Sequence, residues 1–208
     1  MPASGAGRVY GGATGEQRVA ERRRKLIEAG MNLFGSTGSG LVRVKDVVAE
    51  AGLTERYFYE SFSDLGALFD AVLELTMDTV EMDVNAAVIK APDDGVTRVS
   101  IALRTAVDAL ANDPRMIRII FIEALGNGGR ANFRRHELSV RAAENFFWWS
   151  GTGIGNFDSS PTDIRMKTFA LSGAASELLI SWAEGLLDIT ADQLADFLVE
   201  LYWGINLP

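Results

Sequence analysis

The sequence has no cysteine and only one histidine. The first absence excludes a disulfide framework and thiol-ligated metal, and it fits a reducing compartment, so a cytoplasmic location is expected. The second leaves His136, in the run RRHEL, without a partner at metal-binding spacing, so no metal site is expected and Ser-His or Cys-His catalysis has little to rest on. GTGIG, Gly151–Gly155, lacks a preceding strand and the full dinucleotide-loop spacing, and reads as a loop. Carboxylates are scattered along helical stretches, where solvated faces explain them. An enzyme is therefore not expected, nor a cofactor. No apolar run approaches the ~20 residues of a membrane span. The opening stretch MPASGAGRVYGGATGEQ has no apolar segment, so no signal peptide is expected.

Convincing strand alternation is also missing, and what remains is helix. With 48% hydrophobic residues the chain can build a substantial core. The spacing predicts helices over Arg18–Phe34, Leu65–Lys90, Val96–Ala111, Met116–Leu125, Arg130–Trp149, Asp163–Leu187 and Ala191–Trp203. Breaks are marked by Asn112-Asp113-Pro114, by Gly126–Gly129, by the loop Ser150–Pro161 and by Thr190 as a cap. With two short helices between the first and second, the expectation is an all-α protein of about nine helices. Residues 1–15, rich in Gly and Ala, are expected as a mobile tail. Residues 16–62 are expected as a small helical domain and 63–208 as a larger helical one.

The two short helices lie in Val44–Phe62, VKDVVAEAGLTERYFYESF. Val44, Val47, Val48 and Ala51 share one face. Gly52 is placed to end the first helix with positive φ, and Thr54 to cap the second. Leu53 and Phe58 suit a hydrophobic staple. Phe58 and Phe62, one turn apart, leave Glu55, Arg56, Tyr57 and Tyr59 to face outward. This is the pattern of a helix-turn-helix. Upstream, Val19, Leu26 and Leu33 form an apolar row, with Arg22, Arg23, Arg24 and Lys25 on the opposite face.

Three runs, RRRKLIEAGMNLFGSTG, VKDVVAEAGLTERYFYESF and SDLGALFDAVLEL, carry a likeness that covers Arg22 to Leu75. In order and spacing they resemble the DNA-binding head of the tetracycline-repressor (TetR) family of bacterial regulators. Two positions depart from the family pattern: Arg43 stands where Ser or Thr is usual, and Leu65 where a phosphate-contacting lysine is usual. The resemblance implies a ligand-responsive transcriptional regulator, a repressor released from its operator by a small, largely apolar molecule. Its partners would be double-stranded DNA with a palindromic operator, the small-molecule effector and a second copy of the chain. The two departures keep an alternative open, a small-molecule-binding helical protein whose helix-turn-helix does not bind DNA.

For DNA, Arg56 and Tyr57 are expected to read base edges, with Glu55 a partner for cytosine. Tyr59, Thr54, Lys45 and Arg43 are expected on phosphates, with the amide of Gly66 adding a helix N-terminus. The net charge of −8 is divided unevenly. Residues 1–62 hold nine Lys or Arg against seven Asp or Glu, and residues 63–208 hold eleven against twenty-one. The head is thus mildly basic on an acidic body, which would orient the molecule on DNA. The last two helices mix small residues with large apolar ones, and Gly173, Leu179, Leu194, Phe197, Leu198 and Leu201 are expected at a four-helix dimer interface. A ligand cavity is expected to draw on Met82, Met116, Phe121, Trp148, Trp149 and Trp182. Arg104, Glu123 and Asn145 would be its few polar groups.

Overall fold

The structure, a computed structural model, describes residues 15–124, 140–141 and 161–206. The expected tail apart from Gly15, the Gly126–Gly129 break, the helix Arg130–Trp149 apart from the helical Val140 and Arg141, and nearly all of the Ser150–Pro161 loop lie outside them, His136 included. Among the described residues every regular element is helical, and no helix is long and apolar enough to cross a membrane. The elements are α1 (Gly15–Ser36), a 3-10 turn (Ser39–Leu41), α2 (Val44–Glu50), α3 (Glu55–Ser61), α4 (Leu65–Lys90), α5 (Gly95–Asn112), α6 (Pro114–Ile117), a π-helical turn (Arg118–Glu123), α7 (Pro161–Ala183) and α8 (Ala191–Asn206).

Local chemistry sets most of these ends. The Asp46 carboxylate accepts from the Arg43 amide at 3.0 Å and starts α2. Gly52, at φ 64°, turns the chain out of α2, and the Leu53 amide bonds back to the Val48 carbonyl at 2.8 Å. Thr54 stands at the N-cap of α3, but its hydroxyl makes no cap bond. Asp64 caps α4 by accepting from the Ala67 amide at 2.8 Å, and Asp94 caps α5 from Thr97 at 2.8 Å. Thr190 and Gln193 close a reciprocal capping box at the start of α8.

The expected apolar helix Met116–Leu125 is instead a short α6, begun by Pro114, that widens into a π turn. The inward face of α2 and α3 is as the spacing predicts: Val47, Val48, Phe58 and Phe62 are buried, and Val44, Ala51 and Leu53 pack against them. The row on α1 is shorter. Leu26, Ala29 and Phe34 are buried, whereas Val19, in the exposed opening turns of α1, is 49% exposed. Phe34 meets Phe69 of α4 edge-on, with ring centroids 5.4 Å apart.

One apolar core runs from these helices into the body. Leu26, Phe34, Val47, Phe58, Leu68 and Val72 share a cluster with Ile117, Ile119, Leu179, Leu194 and Leu198. No break in the core falls at residues 62 and 63. Phe58, wholly buried, is the side chain that pins α3 to this core. Phe58→Ala is expected to lower stability by about 3–5 kcal/mol, read as a shift in the urea unfolding midpoint.

Candidate nucleic-acid interface

On α3 the side chains of Glu55, Arg56 and Tyr59 are exposed, and Tyr57 is half-buried. Phe58 inside the core fixes which way the others point, because neighbours on a helix are rotated by about 100°. Tyr59 also stands edge-on to Phe58 at 5.3 Å, which anchors one end of its ring. Arg56 Nε donates to Glu60 Oε1 at 3.0 Å along the same helical face, with the Arg56 side chain 84% exposed. Arg43, Lys45 and Thr54 are exposed at the starts of α2 and α3. Gly66 is exposed in the first turn of α4, beside the Asp64 carboxylate. That acid places negative charge where a phosphate was expected and opposes one there.

The basic run on α1 does not face away as a block. Arg22 lies over the Tyr57 ring, its guanidinium carbon 4.4 Å from the centroid, and its Nη2 stands 3.6 Å from Glu60 Oε2. Arg23 lies over Phe62 at 4.3 Å and donates to the Ser61 carbonyl at 3.0 Å, which closes the C-terminus of α3. Both are therefore supports for α3 rather than a solvated face. The signal was present for Arg22, which stands one turn before Leu26 on the buried stripe, and its stem follows that stripe while its head reaches α3. Arg24 does behave as surface, held by Glu21 at 2.8 Å and Glu28 at 3.2 Å on its own helix.

Polar contacts join this head to the body. The buried Glu123 carboxylate accepts from the Ser39 amide at 2.6 Å and the Ser39 hydroxyl at 2.7 Å. Its other oxygen accepts from Arg118 Nε at 3.2 Å. Residues five apart stand about 140° apart around an α-helix, and the wider π turn brings Arg118 and Glu123 to one side. Glu123 was expected as a polar group in a ligand cavity; it is used as a clamp between π turn and head. A second chain of bonds runs from Glu50 of α2 to Asn32 of α1 at 3.0 Å and from Asn32 to Arg115 of α6. Arg115 grips Asp113 through two bonds of 2.8 and 2.6 Å. Those bonds hold the Asp113 carboxyl below the usual carboxylate range. Its folded pKa being depressed, this contribution to stability is present near neutrality and is lost as pH falls through the acid range. At the same junction Gly35 lets α1 touch α6: a Cβ there would lie 2.6 Å from Arg115 Cβ.

The expected cavity residues divide. Met116 and Phe121 are half-buried and pack against the core. Trp182 does too, with its Nε1 donating to the Ile189 carbonyl at 2.9 Å, so its polar end serves the α7–α8 connection. Met82 is 70% exposed, and Arg104 makes an exposed ion pair with Asp196 of α8. Both are exposed, Met82 towards solvent and Arg104 in its pair with the neighbouring helix. Asn145, Trp148 and Trp149 lie outside the described residues.

The expected interface residues divide as well. Leu179, Leu194 and Leu198 are buried inside the chain's own core and are not available to a partner. Periodicity marks all three as apolar, but it does not say which of two apolar faces turns inward. Phe197 is exposed, Leu201 is half-buried, and Gly173 opens on empty space. The exposed Met166, Phe169 and Ala170 stand with Gly173 on one stripe of α7, at three-, four- and seven-residue spacing.

The α2–Gly52–α3 unit, with its outward polar and aromatic residues, is the helix-turn-helix of a DNA-binding transcriptional regulator. Residues 26–72, the stretch that holds this unit, match the family model described as bacterial regulatory proteins, tetR family. No curated protein matches the chain in sequence. Solved structures share its fold. A TetR-like transcriptional regulator from Rhodococcus sp. RHA1 has a TM-score of 0.68 at 18% identity, covering 90% of this chain and 97% of that one. The fatty acid degradation regulator FadR from Bacillus halodurans has a TM-score of 0.73 at 14% identity, covering 87% and 94%. FadR from Bacillus subtilis, in complex with stearoyl-CoA, has 0.72 at 15% identity, covering 86% and 96%.

Glu123→Ala leaves the Ser39 amide and Arg118 without their acceptor and is expected to lower stability by about 1–3 kcal/mol. Ser39→Ala removes only the hydroxyl bond and is expected to cost about 0.5–1.5 kcal/mol. Thermal unfolding of both single variants and the double variant checks this, and simple additivity would show that the two residues do not act together.

Proposed function

We propose that this chain works as a homodimeric repressor whose two heads bind adjacent half-sites and let go when a largely apolar molecule enters the helical body. The observation that carries the reading is the outward face of α3, where Glu55, Arg56 and Tyr59 are exposed on a helix pinned from behind by Phe58. Arg56 and Tyr57 would read base edges, and Glu55 would accept from a cytosine amine. Tyr59, Thr54, Lys45 and Arg43 would hold phosphates and fix the register. The uncapped hydroxyl of Thr54 supports its part in this. Gly66 would contribute least, given Asp64 beside it.

Dimerisation would use the outer stripe of α7, Met166, Phe169, Ala170 and Gly173, with Phe197 and Leu201 of α8. Glycine and alanine there allow close approach, and the exposed phenylalanine and methionine supply apolar area. Two-fold symmetry would then set the half-sites about 34 Å apart or a multiple of that. Met116, Phe121 and Trp182 remain as candidate wall residues for the effector. The fold shared with two FadR proteins, one of them holding stearoyl-CoA, supports an effector with a long apolar part.

The test is selection of genomic fragments by purified protein, repeated with stearoyl-CoA and with free fatty acids. Enrichment of a palindrome, lost on adding one of these, is the expected result, and no enrichment at any salt concentration would sink the reading. On the recovered operator, Arg56→Ala is expected to lose about 1–3 kcal/mol of binding and to relax preference at one base position. Lys45→Ala is expected to weaken all sequences alike, with a salt slope shallower by about one. Binding by Arg56→Ala equal to wild type would remove Arg56 from base reading.

A further inference from the structure

The face of α3 that carries Arg56 also carries Glu60, and this acid has two arginines. One oxygen accepts from Arg56 Nε at 3.0 Å, and the other stands 3.6 Å from Arg22 Nη2. Arg22 is in turn the cation over the Tyr57 ring. A single carboxylate thus touches the guanidinium proposed to read bases and the guanidinium that holds the second base reader. Its side chain is 40% exposed, so it stands at the surface a duplex would approach and is not consumed by the core.

We propose that Glu60 is an affinity-setting residue of the DNA interface, an internal anion that competes with DNA for Arg56. The inference rests on α3 being the recognition helix. In the free protein Arg56 lies along α3 on Glu60. To present Nε together with a terminal amine to a base edge it must leave that partner, and Glu60 then faces the phosphates with Arg22 as its remaining counter-charge. Arg22 is placed for this on a different helix, so it stays when Arg56 moves. The arrangement matters because the head has so little positive charge to give, nine basic against seven acidic side chains over residues 1–62. Binding that depends on phosphate neutralisation responds to each such charge. With Glu60 in place a single head binds weakly, and useful affinity requires two heads on two half-sites.

Glu60→Gln removes the charge and keeps the shape, and Glu60→Ala removes both. The probes are the operator duplex recovered by genomic selection and a shuffled duplex of the same length, titrated over a range of salt. For Glu60→Gln the expected result is operator binding at least about threefold tighter, with a salt slope steeper by roughly one for each bound head. The shuffled duplex also gains, and the melting temperature falls only slightly, because the Arg56 pair is exposed and Arg22 keeps its place over the Tyr57 ring. Combining Glu60→Gln with Arg56→Ala removes most of the gain, since Arg56 is what the acid withholds. Operator binding unchanged or weaker in both Glu60 variants, with an unchanged salt slope, overturns the proposal. Weaker binding to the operator alone would make Glu60 a base reader and also overturns it. Wild type and both variants failing on every duplex would instead overturn the recognition-helix reading itself.

Discussion

One buried carboxylate holds the two halves of this molecule in register. Glu123 is an acid inside an apolar stretch, Ile-Ile-Phe-Ile-Glu-Ala, and it is tolerated there because three donors converge on it. An uncompensated charge at such a site would be costly, so the geometry that supplies the donors is enforced. The π turn is part of that geometry, since it brings Arg118 around to the same side as Glu123. The Gly38–Ser39 corner is the other part, presenting an amide and a hydroxyl from the chain just before the helix-turn-helix. The line from Glu50 through Asn32 to Arg115 ties α2, α1 and α6 together nearby.

These polar ties lie against a core that is continuous from α2 and α3 to α7 and α8. Close-packed interiors shift between discrete arrangements rather than deforming smoothly. In the proposed regulator this is how an effector among the body helices would change the spacing of the heads. Contacts at the junction, rather than a flexible linker, would carry the change.

At the end proposed to face DNA the molecule works with balanced charge. Arg22, Arg23 and Arg56 each have a partner within the protein, an acid, a ring or a carbonyl. Arg22 and Arg23 hold α3 against α1, and only Arg56 extends fully into solvent. The acidic body adds repulsion away from the heads. Sequence preference in such an interface must come from a few well-oriented side chains, because general attraction to phosphate is small.

Much of the head was legible in the sequence for local reasons. Gly52 at positive φ, the stripe Val44–Val47–Val48–Ala51 and the pair Phe58 and Phe62 act within a turn or two of themselves, so periodicity and turn chemistry find them. The ends of α4 and the Pro114 start of α6 were legible for the same reason. The rest depended on partners far along the chain. Whether Arg22 is surface or support is decided by Tyr57 and Glu60, whether Glu123 meets a ligand or a backbone amide is decided by Ser39, and whether Leu194 and Leu198 face a second copy or their own core is decided by α7 and α5. A sequence by itself determines which faces are apolar and where helices begin and end, because those are short-range properties. Only the tertiary structure decides which apolar face turns inward and which charges are already taken, because both are settled by what arrives opposite them.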